Sequence, residues 1–170
     1  LPGSGSGDWD CGGKIIQLAE VTLWSNGAAL SMSGMSVTMS TEVAVGANLV
    51  DGNTATIAYT ANTPNCDPNP WVYIDVGSVT FDQVVVTNRL DCDGCLARIN
   101  GARISFVADV DGAVPYAARQ YFPSTAATTY TFAFPEGTGK LGGTAVSACA
   151  EGYTTAGAWK LISVVHTGTS

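Results

Sequence analysis

Apolar positions along the chain fall in short runs separated by turn residues, and no long stretch repeats at helical spacing. Three runs, 71–76, 84–87 and 104–107, are rich in Val, Ile and Phe and predict strands. Upstream, 14–25 predicts a strand with Ile15, Ala19, Val21 and Leu23 on one face, and Asn26-Gly27 predicts the hairpin turn that ends it. Residues 30–41 alternate small polar residues with Leu30, Met32, Met35, Val37 and Met39, a pattern for core and sheet-edge packing. Residues 43–50 lead into an Asp51-Gly52-Asn53 turn, and a short strand is expected at 57–60. The proline-rich stretch 62–70 cannot form regular structure. Downstream, Asp109–Gly112 reads as a turn, and strands are expected at 116–122, 128–134 and 159–166. The last is apolar on both faces, which implies a central position in a sheet or insertion into a groove. Short strands punctuated by turns predict an all-β protein, an antiparallel β-sandwich of jelly-roll-like form.

Composition narrows the function classes. The chain has 170 residues, enough for one domain with a substantial core, and 46% of them are hydrophobic, well outside the range of disordered chains. Only seven residues are basic and the net charge is −7. Nucleic-acid binding and polybasic attachment to lipid headgroups are therefore not expected. No apolar run approaches the roughly 20 residues of a membrane span, so membrane insertion is not expected. The first residue is Leu, which fits a processed, secreted or cell-surface chain. No Asn-x-Ser/Thr sequon occurs, while the Thr-rich 124–131 leaves O-glycosylation open.

Five cysteines, Cys11, Cys66, Cys92, Cys95 and Cys149, fit disulfides in an extracellular domain. Cys92-Asp-Gly-Cys95 has the spacing of a redox motif, but the βαβ setting such motifs need is missing. A zinc site would need a second ligand pair, and the single histidine is His166. The expected pairing joins Cys66 to the Cys92/Cys95 loop and Cys11 to Cys149. The odd number leaves one cysteine unpaired or pairing between chains.

Between the second and third central runs lies the densest polar loop, 88–101, with two arginines, two aspartates and two cysteines. Three segments around it resemble the galactose-binding-like β-sandwich superfamily, which includes discoidin domains and F-type lectins. They are Asn48-Leu-Val-Asp51-Gly52-Asn53, similar to an N-x-x-D-G-N loop; Trp71-Val-Tyr-Ile-Asp75-Val-Gly77, similar to a W-x-x-(V/I)-D-L-G strand; and Val84-Val-Val-Thr-Asn88-Arg89-Leu-Asp91-Cys92 with Arg98-Ile-Asn-Gly101-Ala102. The order also resembles that of domains in algal extracellular matrix and cell-surface proteins, which often continue with a strand like 129–132. The domain organisation that follows is an arm at 1–13, a discoidin-like sandwich at 14–134, and a 135–170 extension whose strand completes its own or a neighbouring sandwich.

The resemblance implies two sites. The N-x-x-D-G-N loop of F-type lectins helps hold a structural Ca²⁺, and Asn48, Asp51 and Asn53 match it; one carboxylate with amides and carbonyls is a hard-oxygen set of the right kind. The alternative is an Asp-Gly turn bonded to its own backbone. F-type lectins grip fucose with one histidine and two arginines. Arg89 and Asp91 match the R-x-D element, and Arg98 is the second arginine, two residues later than the pattern because an adjacent Cys-Cys has become Cys92-Asp-Gly-Cys95. The family histidine would fall near Asn62, where none stands. The alternative role for Arg89 is to pair with Asp91 or Asp75 and pin the loop.

Nothing in the sequence marks a catalyst. No G-x-S-x-G elbow or phosphate-binding glycine loop occurs, and no pair of acids stands out from the aspartates in turns. The expected function is a non-enzymatic extracellular structural subunit that self-assembles with copies of itself into a filament or surface coat. Its basis is the incomplete lectin set, the unpaired cysteine and the doubly apolar last strand. The alternative is a calcium-dependent glycan-binding adhesion module with its site in 88–101.

Overall fold

The computed structural model describes residues 15–61, 66–79, 81–92, 94–107, 117–133 and 159–165. Ten strands lie among them: β1 (Gln17–Ser25), β2 (Ala28–Ala29), β3 (Ser36–Met39), β4 (Ala58–Tyr59), β5 (Trp71–Val79), β6 (Gln83–Asn88), β7 (Arg103–Val107), β8 (Ala117–Tyr121), β9 (Thr129–Ala133) and β10 (Trp159–Val165). They form two five-stranded antiparallel sheets. The first runs β2-β1-β6-β9, with β4 also paired to β1; the second runs β3-β5-β10-β7-β8. The three central runs of the sequence are β5, β6 and β7. The two helical segments among the described residues are single 3-10 turns, Gly46–Leu49 and Leu96–Ile99. The fold is an all-β, discoidin-like sandwich.

The core draws on both sheets. Leu18, Val21, Leu23, Val84, Val86, Tyr130 and Phe132 from the first pack with Val72, Ile74, Val76 and Ile104 from the second. Alternation makes this possible, since every second side chain of β6 and β9 is buried and the others are not. Phe122, just past β8, meets Tyr130 and Phe132 edge-on at centroid distances of 5.0 and 4.9 Å. Edge-on aromatic pairs add about 0.5–1.5 kcal/mol each beyond their buried area.

Two segments differ from the sequence reading. Within 30–41 only Ser36–Met39 is a strand. Upstream, the amide of Met35 donates to the carbonyl of Met32 at 3.1 Å, and Gly34 takes φ +87°, a left-handed conformation that interrupts the ladder. In β1 the alternation does not hold throughout. The register against β6 shifts between Leu18 and Glu20, a β-bulge at Ala19. Ile16 and Leu18 face the core before the bulge, and Val21 and Leu23 after it. Ile15 and Ala19 are buried but lie outside that cluster. The hairpin turn after β1 is as the sequence predicts: Asn26 and Gly27 both have positive φ, the geometry that suits a tight antiparallel connection.

β10 lies between β5 and β7, with Leu161–Val165 paired on both sides, so its hydrogen-bonding edges are used within the chain. No helix among the described residues is long and apolar enough to cross a membrane.

Candidate functional site

The bulge in β1 decides what the first sheet presents on the side away from the core. With strict alternation Gln17 and Glu20, three residues apart, would point to opposite faces. The extra residue at Ala19 puts both on the face opposite Leu18 and Val21. Both are almost fully buried, Gln17 at 3% and Glu20 at 4% exposure. Each is covered by a loop, and each serves as that loop's anchor.

Gln17 anchors the arginines. β1 and β6 run antiparallel with Leu18 opposite Asn88, so the start of one strand and the end of the other meet at one end of the sandwich. Arg89 follows Asn88, and Arg98 sits in the 3-10 turn Leu96–Ile99. The side-chain oxygen of Gln17, Oε1, accepts from Arg98 Nη1 at 2.9 Å and from Arg89 Nη1 at 3.4 Å. Arg89 also grips Asp91 with two bonds, from Nε to Oδ1 at 2.5 Å and from Nη2 to Oδ2 at 3.2 Å. Its guanidinium lies 6.0 Å from the centroid of the Tyr59 ring. Arg89 is 22% exposed and Asp91 63%, so the ion pair opens to water on the aspartate side. The Arg89 hydrogen bond is the main reason that the Asp91 carboxyl sits below the usual range, against a smaller opposing effect of burial. Asp75, the other partner considered for Arg89, is exposed and accepts from the amide of Gly77 at 2.9 Å.

Asn88 holds the loop from beneath. It is fully buried, and its Nδ2 donates to the carbonyls of Leu96 at 2.9 Å and Ala127 at 3.0 Å. Its Oδ1 accepts from the amide of Arg89 at 2.9 Å. One side chain thus ties the end of β6, the 3-10 turn and the entry to β9 together.

The cysteines correct one expectation. Cys92 and Cys95 are bonded to each other, not to Cys66. A turn closed by the Cys95 amide on the Cys92 carbonyl, at 3.0 Å, brings their Cα atoms to 5.3 Å, inside the range for a disulfide. Cys66 is also disulfide-bonded. The pairing expected between Cys11 and Cys149 lies outside the described residues, as does the turn expected at 109–112. Arg98 Nη1 lies 3.0 Å from Cys95 Sγ, so the bridge and the arginine cluster share one surface.

Glu20 anchors the second loop. Its Oε2 accepts from the amides of Gly52 and Asn53 at 3.0 and 3.1 Å. Asp51 Oδ1 accepts from the amide of Asn53 at 2.8 Å and Oδ2 from the hydroxyl of Thr56 at 2.8 Å. Asn53 Oδ1 accepts from the amide of Ala55, and Asn48 Nδ2 donates to the carbonyl of Ile57 at 2.8 Å. The side chains matching the calcium loop therefore come together, and they bond the loop's own backbone, as the turn reading expects. The structure adds a second carboxylate. Burial, and after it the nearby charge of Asp51, push the Glu20 carboxyl up to about 7. Glu20 and Asp51 are both hard-oxygen donors of the type Ca²⁺ takes, and Glu20 Oε2 and both Asp51 oxygens already accept bonds from Gly52, Asn53 and Thr56. Among the described residues no three His, Cys, Asp or Glu side chains converge.

This gives a pH dependence with a definite sign. In the folded chain Glu20 holds its proton up to about 7, against about 4.5 when unfolded, so between these values the folded state binds more protons. Glu20's contribution to stability is therefore full below pH 4.5 and is lost as pH rises towards 7. Urea denaturation at intervals between pH 4.5 and 7.5 should show this fall, and Glu20→Gln should flatten it. Added Ca²⁺ that binds between Glu20 and Asp51 would also flatten it, by favouring the ionised carboxylate. An equal slope in wild type and Glu20→Gln would show that Glu20 is not its source.

Gln17, Glu20 and Tyr59 are not among the residues expected from the sequence, and Asn88 stands there only as part of the Val84–Cys92 segment, with no role. For Gln17 and Glu20 the signal is a long polar side chain inside the mainly apolar run Ile15–Leu23; for Asn88 it is its place at the head of the Asn-Arg-x-Asp-Cys segment.

A search of the solved structures finds a histidine mutant of the lectin binding domain of Lectinolysin complexed with Lewis b, at a TM-score of 0.53 and 16% identity, over 81% of this chain and 85% of that one. At that identity the likeness is one of fold. A comparison with curated proteins found no match. The family model described as "NedA-like, galactose-binding domain" matches residues 48–141, more than half of the chain and a span that includes Arg89, Asp91 and Arg98. The chain belongs to this galactose-binding domain family.

Proposed function

We propose that the chain is a non-catalytic, extracellular glycan-binding module whose site is Arg89, Asp91 and Arg98, held by Gln17 and flanked by Tyr59. The observation that carries this reading is the convergence of two guanidiniums on one buried amide oxygen at an open end of the sandwich. Guanidinium forks match pairs of oxygen acceptors, a carboxylate is the usual acceptor for sugar hydroxyls, and an aromatic face suits the apolar side of a sugar ring. The galactose-binding family and the Lewis b complex of a similar fold support the same ligand class. Disulfide bonding at Cys66, Cys92 and Cys95 supports an oxidising compartment. A structural Ca²⁺ would be held by Glu20 and Asp51, with Asn48 and Asn53 in the same loop, and would brace the loop next to β4.

Self-assembly into a filament or coat is the second reading. One of the sequence features behind it is the last strand, and β10 has partners on both sides within its own sheet. The geometry therefore favours the binding module.

The test is a glycan array carrying terminal galactose and fucose, probed with the purified chain in calcium and in EDTA. Binding to terminal galactose or fucose is expected. A blank array under both conditions overturns the proposal.

A further inference from the structure

We infer that the site selects saccharides bearing an anionic group, a carboxylate or a sulfate ester, over their neutral counterparts. The inference rests on the glycan-binding reading and adds the charge of the ligand to it. It begins from a local charge imbalance. The chain as a whole carries −7, yet Arg89 and Arg98 converge on the neutral side chain of Gln17. The ion pair between Arg89 and Asp91 is the salt bridge found among the described residues, and both carboxylate oxygens of Asp91 are engaged by Arg89. Arg98 has no acidic partner among the described residues. Its contacts are Gln17 Oε1 and Cys95 Sγ, both through Nη1.

The consequence is a guanidinium with donors to spare. Arg98 carries five N–H groups, and Nε and Nη2 have no protein acceptor among the described residues. Arg98 is half-buried, so its charge is held at the surface without the full screening of an extended side chain. The charge of Arg89 is offset by Asp91, so the positive charge left over among these three residues is that of Arg98, and Gln17 answers it with a dipole, not a charge. A neutral sugar offers hydroxyls to these donors. A carboxylate or sulfate offers a matched pair of oxygens and the negative charge that Arg98 does not find among the described residues. Charge-assisted bonds of this kind are about twice as strong as neutral ones. The part played by Cys92–Cys95 is positional: Cys95 immediately precedes the 3-10 turn and touches Arg98, so the bridge limits where that guanidinium can go.

The test compares three ligands with one ring: galactose, galacturonic acid and galactose 6-sulfate. Titration calorimetry on the whole chain at low salt should give binding of at least one acidic ligand about tenfold or more tighter than galactose. The two acidic ligands separate the carboxylate from the sulfate source. The gap should shrink as NaCl rises from about 50 to about 500 mM, because added salt screens charge pairs that are open to water. Arg98→Gln should bring the acidic and neutral ligands to similar affinity, while Arg98→Lys should keep part of the preference. Circular dichroism of each variant checks that the fold is retained. Equal affinity for all three ligands in the wild type overturns the charge selection and leaves glycan binding standing. Absence of binding to all three, with a blank neutral array, overturns both. An acidic preference that Arg98→Gln leaves unchanged overturns the assignment to Arg98.

Discussion

Replacing Arg89 by alanine should weaken glycan binding by about 100-fold or more while leaving the fold intact. The size follows from the bonds at stake. A hydrogen bond to a charged group is worth about 1.5–3 kcal/mol, and loss of two such bonds to a ligand corresponds to at least two orders of magnitude in Kd. The substitution also releases Asp91, whose carboxylate is oriented by Arg89 through two bonds. Stability should change by less than about 1 kcal/mol, because the pair is open to water on the aspartate side and surface ion pairs contribute little. The two readouts thus part: binding collapses and the melting temperature barely moves. Arg89→Lys should fall between, since it keeps the charge but loses the fork that reaches Asp91 and Gln17 together. Calorimetry against whichever glycan the array identifies checks this. An Arg89→Ala variant that binds within about threefold of the wild type, a difference under 1 kcal/mol, would move the site elsewhere.

Asn88→Ala is the second large effect, and it acts on stability first. Asn88 has no exposed surface, and its amide makes three bonds to backbone groups of three segments. Removing it leaves the carbonyls of Leu96 and Ala127 and the amide of Arg89 without this partner. Each buried group left unsatisfied costs about 1–3 kcal/mol, and partial relaxation brings the expected total to about 2–4 kcal/mol. Asn88→Asp should be at least as damaging, because it loses the donor and points a carboxylate at two carbonyl oxygens. Binding should weaken too, since Asn88 ties the backbone of Arg89 to the turn that carries Arg98. Urea melts of wild type and both variants give the measurement. A loss below about 1 kcal/mol for Asn88→Ala would mean that water takes over its role.

Much of the architecture was legible locally. The runs that became β5, β6, β7, β9 and β10 share one property: their apolar residues alternate or run continuously over three or more positions between turn residues. Asn26-Gly27 could be placed because few residue pairs accept two positive φ values in succession. Where the reading failed, a local departure from periodicity was responsible. The bulge at Ala19 breaks the alternation of β1, and the turn at Met32–Met35 removes the first half of a pattern that looked continuous. Neither leaves a mark that a period of two can detect. The cysteine pairing failed for a related reason: sequence offers every combination, and the tight turn that joins Cys92 to Cys95 is a property of the folded loop.

The candidate site divides in the same way. Arg89, Asp91, Arg98, Asn48, Asp51 and Asn53 were visible because they belong to short motifs, each a few residues long. Sequence by itself determined those motifs, the strands that carry them and the all-β class, since each depends on neighbours along the chain. Only the tertiary structure decided that Gln17 would meet Arg98 across 81 positions and that Glu20 would meet the amide of Gly52 across 32. Those meetings depend on the register between β1 and β6 and on one extra residue at Ala19, which turned two polar side chains to the same face. Pairing between distant strands sets which side chains converge, and no pattern within either strand contains that information.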